Sequence, residues 1–103
     1  MNPGPARACF TIDPGHPSLA GHFPGNPVVP GVLLLDEVVC AALRLLGGEA
    51  ALLAIPQVKF VSPLRPGVEA EITLERGDRG VRFAVSAAGT AIAQGVLELG
   101  VRA

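Results

Sequence analysis

One segment of this 103-residue sequence is a strong candidate for a long helix, and it limits the folds the chain can adopt. From Val32 to Leu46 there is no proline and no glycine, good helix formers predominate, and two glycines follow as a stop signal. At about 100° per residue, apolar side chains cover nearly every side of this helix, leaving a narrow polar strip at Glu37 and Arg44. Such a helix is expected to be buried, with the rest of the chain arranged around it.

The remainder of the sequence predicts an antiparallel sheet. Apolar and polar residues alternate over 68–75 and 81–87, with a Gly77–Gly80 turn between them, which predicts a hairpin. Further strands are predicted over 8–13, 51–55, 57–61 and 91–101. In the last of these the odd positions, from Ala91 to Val101, should share one face. Pro56 indicates an edge or a bend, and residues 62–67 should form a turn. These elements predict a single α+β domain over residues 1–103, in which a curved sheet of five or six strands wraps around one helix.

The loop before the helix is expected to be rigid. Pro24, Pro27 and Pro30 recur at every third residue, and each restricts its own φ and the residue before it. His22 lies in this loop, where a held imidazole can act as a base near neutral pH. The second histidine, His16, lies in a turn-like PGHP sequence and is expected to be an ordinary surface residue.

Asp36 is the unexpected polar residue of the helix. The first apolar arc consists of Val32, Leu35, Val39, Leu43 and Leu46. Asp36 falls within this arc and off the polar strip, where an unpaired carboxylate is costly and is expected to be kept neutral. Glu37 has the placement of an ordinary solvated acid. The pattern therefore favours Asp36 as the functional carboxylate.

The segment GHFPGNPVVPGVLLLDEV, from Gly21 to Val38, resembles the active-site motif of the 3-hydroxyacyl-acyl carrier protein dehydratases. The resemblance implies that His22 and Asp36 are catalytic and that the Gly31 N–H binds the thioester carbonyl. It also implies that Phe23, Pro30 and Val32 contact substrate. In one branch of the family the acid is glutamate, and in another it is aspartate. This sequence combines a loop similar to that of the glutamate branch with the aspartate of the other. The preceding HPSLA is similar to the small dehydratases of aryl polyene pathways.

The resemblance implies a hot-dog fold and dehydration of 3-hydroxyacyl thioesters to trans-2-enoyl thioesters in fatty acid or polyene-type lipid biosynthesis. The acyl group would be carried on the phosphopantetheine of an acyl carrier protein or on coenzyme A, with no cofactor and no metal. In this family the histidine and the acid of one site come from different subunits. A homodimer, a higher oligomer of dimers, or a heterodimer with a related hot-dog subunit is therefore expected.

Two other functions stay open at this point. A hot-dog thioesterase would use the carboxylate to activate water against the thioester carbonyl. A non-catalytic subunit would instead complete the dimer of another dehydratase. The second alternative is favoured by length, because longer family members have an N-terminal segment that this sequence lacks.

Charge and composition bear on the partners and the location of the protein. The net charge of −1 gives no reason to expect nucleic acid or a membrane surface as a partner. No signal peptide or membrane-spanning apolar stretch is evident, so the cytoplasm is the expected location. Cys9 and Cys40 are expected to be small apolar residues in a reducing compartment, with Cys40 in the buried helix.

An acidic carrier protein would need basic residues on this chain. The candidates are Lys59, Arg65, Arg76, Arg79, Arg82 and Arg102, although scattered surface charge is also normal for any domain. Candidates for the walls of an acyl tunnel are Leu35, Phe60 and Phe83.

Overall fold

The computed structural model describes residues 6–19, 28–46, 50–77 and 80–101. Its elements, in order, are β1 (Ala6–Phe10), a short 3₁₀ helix (Pro17–Leu19), α1 (Gly31–Leu46), β2 (Ala50–Phe60), β3 (Ala70–Arg76), β4 (Val81–Ala87) and β5 (Thr90–Val101). The five strands form one antiparallel sheet in the order β1-β3-β4-β5-β2. The predicted architecture, one helix and a sheet of about five strands, is confirmed.

The central hairpin supplies most of the core. β3 and β4 pair through Ile72 with Val85 and Leu74 with Phe83. These four side chains are each 1–2% exposed, because alternate residues of both strands point towards the helix side of the sheet. The hairpin turn is closed by a 2.8 Å hydrogen bond from the Gly77 N–H to the Gly80 carbonyl. Asp78 and Arg79, which the prediction placed in this turn, lie outside the described residues.

Two predicted strands differ in detail from the structure. β1 ends at Phe10, earlier than predicted, because Ile12 lies in the following connection and its carbonyl accepts a 2.8 Å hydrogen bond from Gly67. In β5 the inward face was predicted to include Ala91, which is wrong: Ala91 is exposed and Ile92 is 3% exposed. The pairing with β4 shifts register between Val85 and Ser86, and this irregularity reverses the alternation at the start of β5.

β2 lies at one edge of the sheet and has irregular register. Its pairing with β5 shifts between Leu52 and Ala54 and again between Ala54 and Gln57, and the second shift spans Pro56. This confirms the predicted edge or bend, since proline cannot donate to a strand ladder. Large apolar side chains of β2 remain exposed in the single chain, namely Leu52, Leu53, Val58 and Phe60.

The helix is buried on one side, and the expectation that it is buried all round is wrong for the single chain. The side that packs on the sheet consists of Leu34, Val38, Ala41 and Ala42. The outward row, at four-residue spacing, consists of Val32, Asp36, Cys40 and Arg44, all exposed. Both sides carry apolar residues, and the sheet covers only one of them.

Within the described residues no helix is long and apolar enough to span a membrane; α1 has 16 residues.

Candidate active site

A groove of about 420 Å³ lies between the start of α1 and the chain segment that follows β2. Its walls are mainly apolar, and Ser62 is the one residue with a polar side chain among the described residues that line it. The described residues that line it are Val28, Val29, Gly31, Leu34, Phe60, Val61, Ser62, Pro63, Leu64 and Ile92. An apolar groove with few polar groups suits a ligand that is largely hydrocarbon.

Backbone hydrogen bonds hold the two walls of the groove together. The Val29 N–H donates to the Leu64 carbonyl at 2.8 Å, which joins the loop before α1 to the segment after β2. The Val61 and Ser62 N–H groups both donate to the Ile92 carbonyl, at 2.8 and 3.2 Å. The second wall is thereby anchored to the bulged start of β5.

The amino end of α1 opens beside this groove. The Pro30 carbonyl accepts hydrogen bonds from the N–H groups of Leu33 and Leu34, at 3.0 and 3.3 Å. The N–H groups of Gly31 and Val32 come too early in the helix for an intrahelical acceptor, and they have no acceptor among the described residues. Together with the positive end of the helix dipole, such N–H groups stabilise negative charge on a ligand oxygen.

The ring of Phe60 covers one side of Gly31. A methyl group at residue 31 would lie 2.9 Å from Cζ of Phe60 and 3.2 Å from its Cε1. Gly31 is thus the helix residue on which the tip of this ring rests. Phe60 itself is 50% exposed, so the ring forms a wall of the groove and is not a core residue.

Asp36 does not line the groove of its own chain. It follows Gly31 by five residues, which places it about 7.5 Å along the helix axis and about 140° round it. Its side chain is exposed, and the expectation that it is buried among apolar residues is wrong for the single chain. It belongs to the exposed outward row of α1, whereas Leu35 and Val39 of the same arc are half-buried against the core.

The other predicted site residues have different surroundings. Pro30 is half-buried at the start of the helix, and Val32 is 76% exposed beside Gly31. His22 and Phe23 lie outside the described residues, so their roles stay predictions. The structure therefore brings Gly31 to the groove, with Pro30 next to it at the start of the helix, and leaves Asp36 apart from the groove.

The candidates for the acyl tunnel are separated by the structure. Phe60 lines the groove, whereas Phe83 is 1% exposed in the core and Leu35 is half-buried on α1. Sequence reasoning missed the second wall, Val61 to Leu64, because it predicted Val61 as the end of a strand and residues 62–67 as a turn. The apolar residues that flank Ser62-Pro63 were the signal that this segment contacts the interior.

The basic candidates for carrier docking do not form one patch. Among those in the described part of the chain, Lys59, Arg65, Arg76 and Arg82 are all exposed. Arg65 directly follows the groove residue Leu64. Lys59 and Arg82 project from the sheet face opposite the helix, because their strand neighbours Phe60 and Phe83 point inward. Arg79 and Arg102 lie outside the described residues.

Both cysteines are free and exposed in the single chain. Cys9 lies on a strand, as predicted. The placement of Cys40 as a small residue in a buried helix is wrong, because it belongs to the outward row of α1. Across the described ranges there is no group of three or more His, Cys, Asp or Glu residues that could hold a metal.

Comparison with known proteins identifies the family. A family model described as ApeI-like, ApeI dehydratase, matches residues 2–96. Proteins named 3-hydroxyacyl-[acyl-carrier-protein] dehydratase FabZ are also similar. The one from Levilactobacillus brevis is 34% identical over 105 residues, covering 90% of this chain and 71% of its own length. The one from Chlamydia trachomatis serovar L2 is 38% identical over 95 residues, covering 79% of this chain and 62% of its own length.

Solved structures agree with this assignment. A chain of the dehydratase heterocomplex ApeI:P from Xenorhabdus doucetiae superposes with a TM-score of 0.80 at 28% identity, covering 93% of this chain and 87% of that one. The fluoroacetyl-CoA thioesterase FlK superposes with a TM-score of 0.66 at 19% identity, covering 98% and 87%, and that likeness extends to the fold alone. The chain has the hot-dog fold and belongs to the ApeI-like dehydratase family, with the 3-hydroxyacyl-acyl carrier protein dehydratases among its relatives.

Proposed function

We propose that this chain dehydrates 3-hydroxyacyl thioesters to trans-2-enoyl thioesters on an acyl carrier protein, in fatty acid or polyene-type lipid biosynthesis. The proposal depends on one observation above all: in a member of a dehydratase family, the open amino end of α1 faces an apolar groove. A thioester carbonyl at the Gly31 N–H would have its developing negative charge stabilised there. The groove would accept the adjoining hydrocarbon.

The elimination needs two proton transfers. A neutral imidazole at His22 would remove the C2 proton, and the electron pair would form the C2–C3 double bond as the C3–O bond breaks. A protonated carboxyl at Asp36 would deliver its proton to the departing hydroxyl, which leaves as water. Gly31 would hold the thioester oxygen during both transfers.

A single chain does not complete this arrangement. Asp36 lies on the outward side of α1, well round the helix from Gly31, so it would serve the groove of a second subunit. The second subunit would also cover the Asp36 carboxyl and exclude water from it. Burial disfavours the charged form of a carboxyl, and a proton donor must be in the protonated form. We therefore propose that the active form is at least a dimer with the acid supplied in trans.

The exposed apolar surface is consistent with such an assembly. Val32 on α1 and Leu53 on β2 are 76% and 63% exposed, and β2 is an edge strand. Unpaired strand edges with apolar side chains favour pairing with another chain. A homodimer is the simplest form. Membership of ApeI in a heterocomplex supports a second candidate, in which this chain pairs with a related hot-dog subunit.

The deciding experiment incubates the purified protein with 3-hydroxyacyl thioesters of several chain lengths, on acyl carrier protein and on coenzyme A. Mass spectrometry measures loss of water, and a thiol reagent measures release of the carrier. Water loss without thiol release supports dehydration, whereas thiol release indicates a thioesterase. His22→Ala is expected to abolish the water loss and leave the circular dichroism spectrum unchanged.

Sedimentation of the protein alone separates the two assemblies. A catalytically active dimer of one chain supports the homodimer. A monomer that is inactive by itself and becomes active with a related subunit supports the heteromeric dehydratase. Inactivity in both conditions would reject the proposal.

A further inference from the structure

Phe60 differs from the other described aromatic residues in its surroundings. Phe83 is 1% exposed in the core and Phe10 packs against the core from β1. Phe60 is 50% exposed and lines the groove, although it points to the helix side of the sheet opposite Ala93. Leaving half of an aromatic ring in water forgoes much of its burial free energy, so packing alone does not explain it.

The ring of Phe60 lies against the side of Gly31 that a side chain would occupy. The ring tip occupies the space that a side chain at residue 31 would need, with Cζ at 2.9 Å and Cε1 at 3.2 Å from the position of a methyl group. Glycine at the first residue of α1 therefore accommodates the ring. Gly31 also carries the N–H assigned above to the thioester oxygen, and Gly31 and Phe60 both line the groove, so the ring and the donor residue border the same space.

We propose that Phe60 is a positioning residue of this site. Its ring fixes the distance between the thioester and the Gly31 N–H, and residue 31 is glycine because the ring takes the place of a side chain. The inference rests on the proposed dehydratase function and adds to it a residue outside the motif. A misplacement of even about 1 Å at a reacting centre can cost two orders of magnitude in rate.

The contact predicts a specific pattern of coupling between two substitutions. Phe60→Leu removes the ring tip, and we expect kcat to fall about tenfold with KM within about twofold. Gly31→Ala displaces the ring tip, and we expect about a 100-fold loss of kcat. Folding should stay normal, because the displaced atoms are the half-exposed end of a side chain and not backbone. In the Phe60→Leu background the alanine methyl group has room. Adding Gly31→Ala to Phe60→Leu should therefore lower kcat by less than about threefold.

Val58→Ala is the matched control. Val58 lies on the same strand and face, two residues earlier, and is 37% exposed, but it does not line the groove. Its kcat and KM should equal those of the wild type. Circular dichroism and sedimentation of every variant show whether fold and assembly are intact.

The outcomes separate this inference from the proposed function. Losses that multiply in the double variant, with an active wild type, would overturn the positioning role and leave dehydration standing. A changed sedimentation coefficient for Phe60→Leu would also overturn it, since the ring would then act in assembly. A wild type that dehydrates no thioester would overturn both proposals together.

Discussion

The N–H of Val29 and the carbonyl of Leu64 are joined by a 2.8 Å hydrogen bond that closes the base of the groove. Both side chains are buried, at 5% and 2% exposed, so the two walls meet through packing as well as through the backbone. The connection after β2 is therefore a structural part of the site and sets its width.

This relationship makes Leu64 important for stability. Leu64→Ala should lower the free energy of unfolding by about 2–4 kcal/mol, because the site is buried and the truncation leaves a cavity. Val68→Ala is the control in the same connection, where the side chain is 39% exposed, and it should change stability by less than about 1 kcal/mol. Urea titration followed by circular dichroism measures both. Equal effects would contradict the anchoring role of Leu64.

Asp36→Asn should abolish dehydration without unfolding the protein. The side chain is exposed in the single chain, so the folding free energy should change by about 0.5 kcal/mol or less. Loss of the proton donor should lower kcat by about 10²–10⁴-fold. Glu37→Gln, one residue on, is the matched control and should remain active. Full activity of Asp36→Asn in the turnover assay would reject the acid assignment.

Leu53→Glu should disrupt subunit association. The side chain is 63% exposed on the edge strand, and a carboxylate there would have to be buried unpaired in an interface. Sedimentation should show the mass falling from about twice to once the 10.5 kDa of one chain, with loss of activity. Thr90→Glu, at the exposed first residue of β5, is the control for added charge. An unchanged mass for Leu53→Glu would place the interface elsewhere.

Arg65→Glu should weaken the use of a carrier-protein substrate. Arg65 is exposed and directly follows the groove residue Leu64, whereas Lys59, which precedes the groove residue Phe60, projects from the sheet face opposite the helix. We expect KM for the acyl carrier protein substrate to rise about tenfold and KM for a coenzyme A substrate to change less than about twofold, because rim charges steer an acidic partner. Arg82→Glu, on the opposite sheet face, should behave as the wild type. An equal rise in KM for the two variants would indicate an effect of net charge and would contradict docking beside Arg65.

The helix and the hairpin were predictable because their signals are local. A run without proline or glycine between residues 32 and 46 and the alternation over 68–75 and 81–87 depend only on neighbouring residues. The inward side of α1 was not predictable, since Val32 and Leu34 lie on different sides of a helix that is apolar nearly all round, and only the sheet decides which side is covered. The reversed alternation at Ile92 likewise depends on pairing with β4.

The candidate site was predictable where a continuous motif carries it and obscure where distant segments meet. Gly31 lies in the motif, and the structure places it at the groove. The second wall, with Leu64 and Ser62, comes from a connection some thirty residues later, and its contact with Val29 has no local sequence signal. The contact between Phe60 and Gly31 likewise joins distant segments of the chain and has no local sequence signal.

The outward row of α1 contains a cysteine whose alkylation rate depends on the exposure of that surface. Cys40 lies one helical turn beyond Asp36 on that row, while Cys9 lies on the far side of the sheet. Alkylation rates of the two thiols, compared within one sample, would show whether the Asp36 surface is shielded without any engineered label. Slow modification of Cys40 beside rapid modification of Cys9 is the pattern that shielding would produce.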